Sequence, residues 1–64
     1  MTDLDRIKLK LKEEERSQRW LARKVGVSHS LMNMMLHGKR TMTSQVKIDI
    51  ANTLGENPES LYVQ

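Results

Sequence analysis

Three residues, Gly26-Val27-Ser28, separate two short amphipathic stretches, and they constrain the fold of this chain more than any other feature. Leu21, Ala22 and Val25 give the first stretch an apolar stripe at helical spacing, with Ser17 before it as an N-cap. Gly26 ends that stretch where a left-handed residue is needed, and Ser28 is placed to cap the next one. The pattern predicts helices over 18–25 and 29–37, the second terminated by Gly38. So short a joint is wrong for antiparallel packing and right for a crossing near about 90–120°. Close crossing needs a small residue where the backbones approach. Ala22 occupies that place, and Val27 plugs the corner.

The flanking segments read as helices too. Leu4, Ile7 and Leu11 share one face, which predicts a helix over 3–15 capped by Thr2 or Asp3. Residues Ile7 to Lys12 alternate apolar and charged, a strand pattern. The spacing from Leu4, the Lys- and Glu-rich flanks and the lack of a second strand candidate decide for helix, and Leu9 is left off the main face. Ser44 or Thr43 caps a fourth helix over 45–54, with Val46, Ile50 and Leu54 on one side and Gly55 at its end. Asn57-Pro58-Glu59 supplies a cap, a proline at the first helical position and a first-turn acid, predicting a fifth helix over 58–62. The expectation is one all-α domain, residues 1–64, of five compact helices.

A domain of 64 residues buries roughly 60 % of its unfolded surface, so it is marginal alone and benefits from a partner. Trp20 and Tyr62 are its only large aromatics, which leaves aliphatic and methionine side chains to make the core. Trp20 is expected to brace the first helix, half-buried. With no cysteine there are no disulfides or thiolate metal sites, and His29 and His37 lack nearby carboxylates, so no metal is expected. No apolar run approaches the roughly 20 residues of a membrane span, and no signal-peptide core is present; the expected address is the cytoplasm. Nothing in the residues gathers a catalytic set, a phosphate loop or a cofactor or small-molecule site, so an enzyme is not expected.

Charge is distributed unevenly. Between Glu15 and Asp49 there is no acidic residue, while Arg16, Arg19, Arg23, Lys24, Lys39, Arg40 and Lys47 fall in that window. The formal net charge of +3 therefore hides a strongly basic middle. A charge run alone is often just a solvated surface, but this one coincides with the two-helix unit, which points to a polyanionic partner.

On a helical wheel with Met32 at zero, Met35 falls near about −60°, Leu36 near about +40° and Leu31 near about −100°. These four form the inward face. Asn33, His37, Ser30 and Met34 lie on the other side, between about +100° and +200°, and His29 stands at the first turn. This outer face is polar, uncharged and bordered by cations, as reading of base edges requires. Asn33 can pair with an adenine edge, Ser30 and the two histidines can donate or accept, and Met34 can lie against a thymine methyl. Helix N-termini place Gln18 and Ser28 where phosphates bind, and Arg19, Arg23, Lys39 and Arg40 border the face as further phosphate contacts.

Gln18, Leu21-Ala22, Val25-Gly26-Val27, Met32, Met35 and Gly38-Lys39-Arg40 sit at spacings that resemble the phage Cro/repressor-type (XRE-like) helix-turn-helix family. Ile50-Ala51, Leu54-Gly55 and Pro58-Glu59 with Leu61 are similar to its fourth and fifth helices, so the resemblance spans roughly residues 7 to 62. It implies a lambda-repressor-like five-helix domain and a sequence-specific transcriptional repressor from a phage or mobile element, acting as a homodimer. By position, His29, Ser30, Asn33 and Met34 inherit base reading, and Gln18 and the Lys39-Arg40 loop inherit phosphate binding. The chain departs from the family pattern at Arg16, Trp20 and His37, and its outer face carries two histidines and a methionine rather than glutamines and arginines, so its operator does not follow from better-known members.

The function expected is repression by operator occlusion, with two copies on a pseudo-palindromic duplex. Ile48, Leu61, Tyr62 and Val63 are the candidate dimer contacts, since they are apolar residues off the main faces or crowded at the C-terminus. The alternative is the same fold used as a protein-interaction module, as in an antitoxin or antirepressor. RNA is disfavoured, because the A-form major groove excludes a helix and no aromatic stacking platform is present.

Overall fold

A computed structural model describes residues 2–62 as five α-helices, with no strand among the described residues. They are α1 (Asp3–Glu13), α2 (Gln18–Val25), α3 (His29–Leu36), α4 (Ser44–Thr53) and α5 (Pro58–Leu61). Every helix opens on a side-chain cap that accepts an otherwise unpaired first-turn amide. Thr2 takes the amide of Asp5, Ser17 that of Trp20, Ser28 that of Leu31, Thr43 that of Val46 and Asn57 that of Glu59. Thr2 and Thr43 are thus the caps, not Asp3 and Ser44, and α4 begins one residue earlier than its sequence pattern predicts.

Helix ends explain the remaining differences. The helices α1, α3 and α4 close with the same pair of backbone bonds, from the two residues beyond the cap to carbonyls of the last turn. In α1 these are Glu15 to Lys12 and Arg16 to Leu11, at 3.1 and 2.8 Å. The motif places one residue in the left-handed region. Gly38 and Gly55 fill that position after α3 and α4, but after α1 it falls to Glu15, at φ 56°. Lacking a glycine signal there, the sequence reading carried α1 two residues too far. His37, Leu54 and Tyr62 are likewise caps lying just outside the helices assigned to them.

The core draws on all five helical segments: Ile7 and Leu11, Leu21 and Ala22, Met32, Met35 and Leu36, Ile50, Ala51 and Leu54, and Leu61. No polar or charged residue is buried among the described residues. Full burial of a Leu, Ile or Met side chain contributes about 1.5–3 kcal/mol, so these side chains dominate a fold this small. Leu9, at 43 % exposed, points to solvent, which resolves the strand-like alternation in favour of a helix with one apolar residue outside.

The C-terminus is tied to both earlier ends of the core. Arg6 donates to the carbonyl of Leu61, at 3.3 Å, and the Tyr62 hydroxyl donates to the Lys47 carbonyl, at 2.9 Å. Burial, with Asp3 nearby, pushes the Tyr62 phenol up to about 12, so it remains a neutral donor. Lys10 bridges Glu14 at 3.3 Å and Glu56 at 2.9 Å, joining α1 to the turn after α4, and these partners raise its pKa. These contacts correct one expectation. Leu61 is a core residue and Tyr62 a half-buried strut within the chain, so neither is a free dimer contact. Val63 lies outside the described residues, and of the other three Ile48 alone is exposed, at 41 %.

Two stability changes test this packing. Glu15→Gly should raise unfolding free energy by about 0.5–1 kcal/mol, the left-handed penalty less the glycine entropy cost, as a higher urea midpoint. Ala22→Leu should lower it by roughly 1–3 kcal/mol, because Ala22 is only 2 % exposed where α2 meets its neighbours. An Ala22→Leu protein of unchanged stability would place the close approach elsewhere.

Candidate nucleic-acid interface

The corner between α2 and α3 fixes which side of α3 faces out. Gly26, at φ 90°, and Val27 both donate to the Ala22 carbonyl, at 2.8 and 3.0 Å, and Ser28 starts α3 at once. Met32, Met35 and Leu36 are then turned fully inward, while His29, Ser30, Asn33 and His37 are exposed. Leu31 and Met34 lie at the borders, half-buried. The wheel reading holds for the inner residues. It overstates the outward turn of Met34, which is only partly exposed.

Polar side chains on this face divide into engaged and unengaged groups. Ser28 accepts the Leu31 amide at 3.0 Å, which leaves its own hydroxyl hydrogen as a donor. His37 places Nδ1 3.4 Å from the Asn33 carbonyl, so the Nδ1-protonated tautomer donates to the end of α3. His37 therefore serves as part of the helix cap and offers one ring nitrogen outward, a smaller role than its wheel position implies. The Asn33 carboxamide, the Ser30 hydroxyl and the His29 ring make no hydrogen bond among the described residues. These three are the groups open to a partner.

The surrounding charge is open as well. The ion pairs of the described residues are Arg6–Asp3, Lys10–Glu14 and Lys10–Glu56, each using a cation of α1. No ion pair among the described residues engages Arg19, Arg23, Lys24, Lys39 or Arg40, and all five are exposed. Of the other two cations in the acid-free window, Lys47 lies 5.6 Å from the Tyr62 ring centre and Arg16 lies 4.8 Å from that of Trp20. The Arg16–Trp20 stack went unread in the sequence, although its four-residue spacing was the available signal. Gln18 is half-buried at the first position of α2, with its side chain unbonded, and the opening amides of α2 and α3 lack intrahelical acceptors.

The open donors and acceptors of α3 are thus flanked in the chain by five exposed cations that form no ion pair among the described residues, on α2 and in the turn after α3. Chemically, cations and free helix N-termini can receive phosphates, and open amide, hydroxyl and imidazole groups can pair with hydrogen-bonding edges. No family model, curated protein or solved structure matches the chain.

The capping role of Ser28 can be tested by itself. Ser28→Ala should cost about 1 kcal/mol in thermal unfolding through loss of the α3 cap, whereas Ser28→Asp, which caps equally well, should stay near the parent. Equal losses in both would remove the capping role.

Proposed function

We propose that this domain binds duplex DNA, with α2 and α3 as a lambda-repressor-like helix-turn-helix and α3 laid in the major groove. The observation that carries the reading is the unengaged polar face of α3, Ser30 and Asn33 above all, framed by unpaired Arg19, Arg23, Lys39 and Arg40. In this reading Gln18, Ser28 and the four cations grip phosphates, which sets register, and the α3 side chains select sequence. Two copies on a pseudo-palindromic operator would place their α3 helices about 34–36 Å apart, one helical turn of DNA. Occupancy of such an operator represses transcription by excluding polymerase. Among the described residues Ile48 is the exposed apolar candidate for contact between the copies.

The measurement is fluorescence anisotropy with random-sequence and selected duplexes across a salt series. Log affinity should fall linearly with log salt, with a slope of about −0.9 for each phosphate neutralised. Arg19→Ala should weaken all sequences alike and reduce the slope magnitude by about 1. Binding that shows neither salt dependence nor sequence preference would contradict the proposal.

A further inference from the structure

The composition of α3 restricts which base pairs it can read, an inference that rests on the duplex-binding reading above. The helix His29–Leu36 contains no Arg, Lys, Asp or Glu. Guanine presents two acceptors in the major groove and is read most often by a guanidinium or ammonium, while the cytosine amino group is matched by a carboxylate. Neither kind of group is on α3. What α3 does expose is the Asn33 carboxamide, which has no hydrogen-bond partner among the described residues. Its acceptor and donors lie in one plane and complement the N6 and N7 of adenine.

The next residue adds a second restriction. Met34 is partly exposed and follows Asn33 directly on the helix. Consecutive helical residues differ by about 1.5 Å in rise and about 100° in direction, so the two side chains address neighbouring positions along a groove. A partly exposed methionine offers no hydrogen-bond donor and a polarizable apolar surface, which suits the thymine 5-methyl group. Cations stand only outside the helix, on α2 and in the turn holding Lys39 and Arg40. A charged guanine contact therefore belongs at the margin of the site, and on α3 itself only the His29 ring and Ser30 hydroxyl, at its first turn, could donate to a guanine.

We propose that α3 selects an A·T core in each half-site, with Asn33 reading an adenine and Met34 packing on the methyl of a neighbouring thymine. Selecting duplexes from a random pool with the full chain tests the first part directly; the enriched core should be A·T. In the best duplex, replacing the core adenine by 7-deazaadenine should weaken binding roughly 5- to 150-fold, and Asn33→Ala should abolish that response. Replacing the neighbouring thymine by deoxyuridine should weaken binding about 4-fold, the worth of one methyl group. Asn33 is exposed, so the variant is expected to melt with the parent, which circular dichroism checks. A G·C core, or an undiminished 7-deazaadenine effect in Asn33→Ala, would overturn the proposal. Salt-dependent binding without any enriched sequence would overturn it while leaving duplex binding intact, and absence of salt-dependent binding would remove both.

Discussion

The short corner from Ala22 to Ser28 is the constraint on which the rest of the structure depends. Two amides on one carbonyl and a left-handed Gly26 end α2, and a serine cap begins α3 within three residues. That geometry leaves the chain no slack to rotate α3 about its axis. Met32, Met35 and Leu36 must then enter the core together, and Asn33 and Ser30 must leave it. A longer joint would let α3 lie antiparallel to α2 and bury a different stripe. The outer face is therefore a consequence of the corner, since the inner face has only one way to be satisfied.

Charge follows the same division. Acidic side chains occupy residues 3–15 and the segment from Asp49 onward, and those that form ion pairs do so with Arg6 and Lys10. The cations of α2 and of the turn after α3 are left to the solvent. Exposed surface pairs contribute little to stability, at most about 1 kcal/mol each, so the arrangement is poorly explained as a device for holding the fold. It leaves a field of one sign around a face that carries no formal charge, which is an arrangement suited to a polyanion whose edges must also be read.

Much of the fold was legible because the signals are local. Ser17, Ser28 and Asn57 cap where their types and positions indicate, and the 3–4 spacing of Leu21, Ala22, Met32, Met35 and Leu36 identifies the core. What was missed depends on contacts distant in sequence or on conformations the residue type conceals. Leu61 and Tyr62 read as an exposed apolar end, yet Arg6, 55 residues away, holds α5 against the core. Glu15 gives no hint of a left-handed turn, so the end of α1 was overrun. His37 is exposed as the wheel indicates, but a wheel does not show the contact of its ring with the Asn33 carbonyl. At the candidate site the sequence identified the surface, and the geometry sorted its polar groups into those already bonded and those still open.

The most direct test of the account is an NMR titration of isotope-labelled protein with a selected duplex, following each backbone amide. The account predicts that the largest shifts fall on the first turn of α2, on His29 to Met34 and on the turn from Gly38 to Arg40, while amides around Leu9 and Ile48 move little. Shifts confined to α4, α5 or the outer side of α1, or no shift at all with excess duplex, would contradict it.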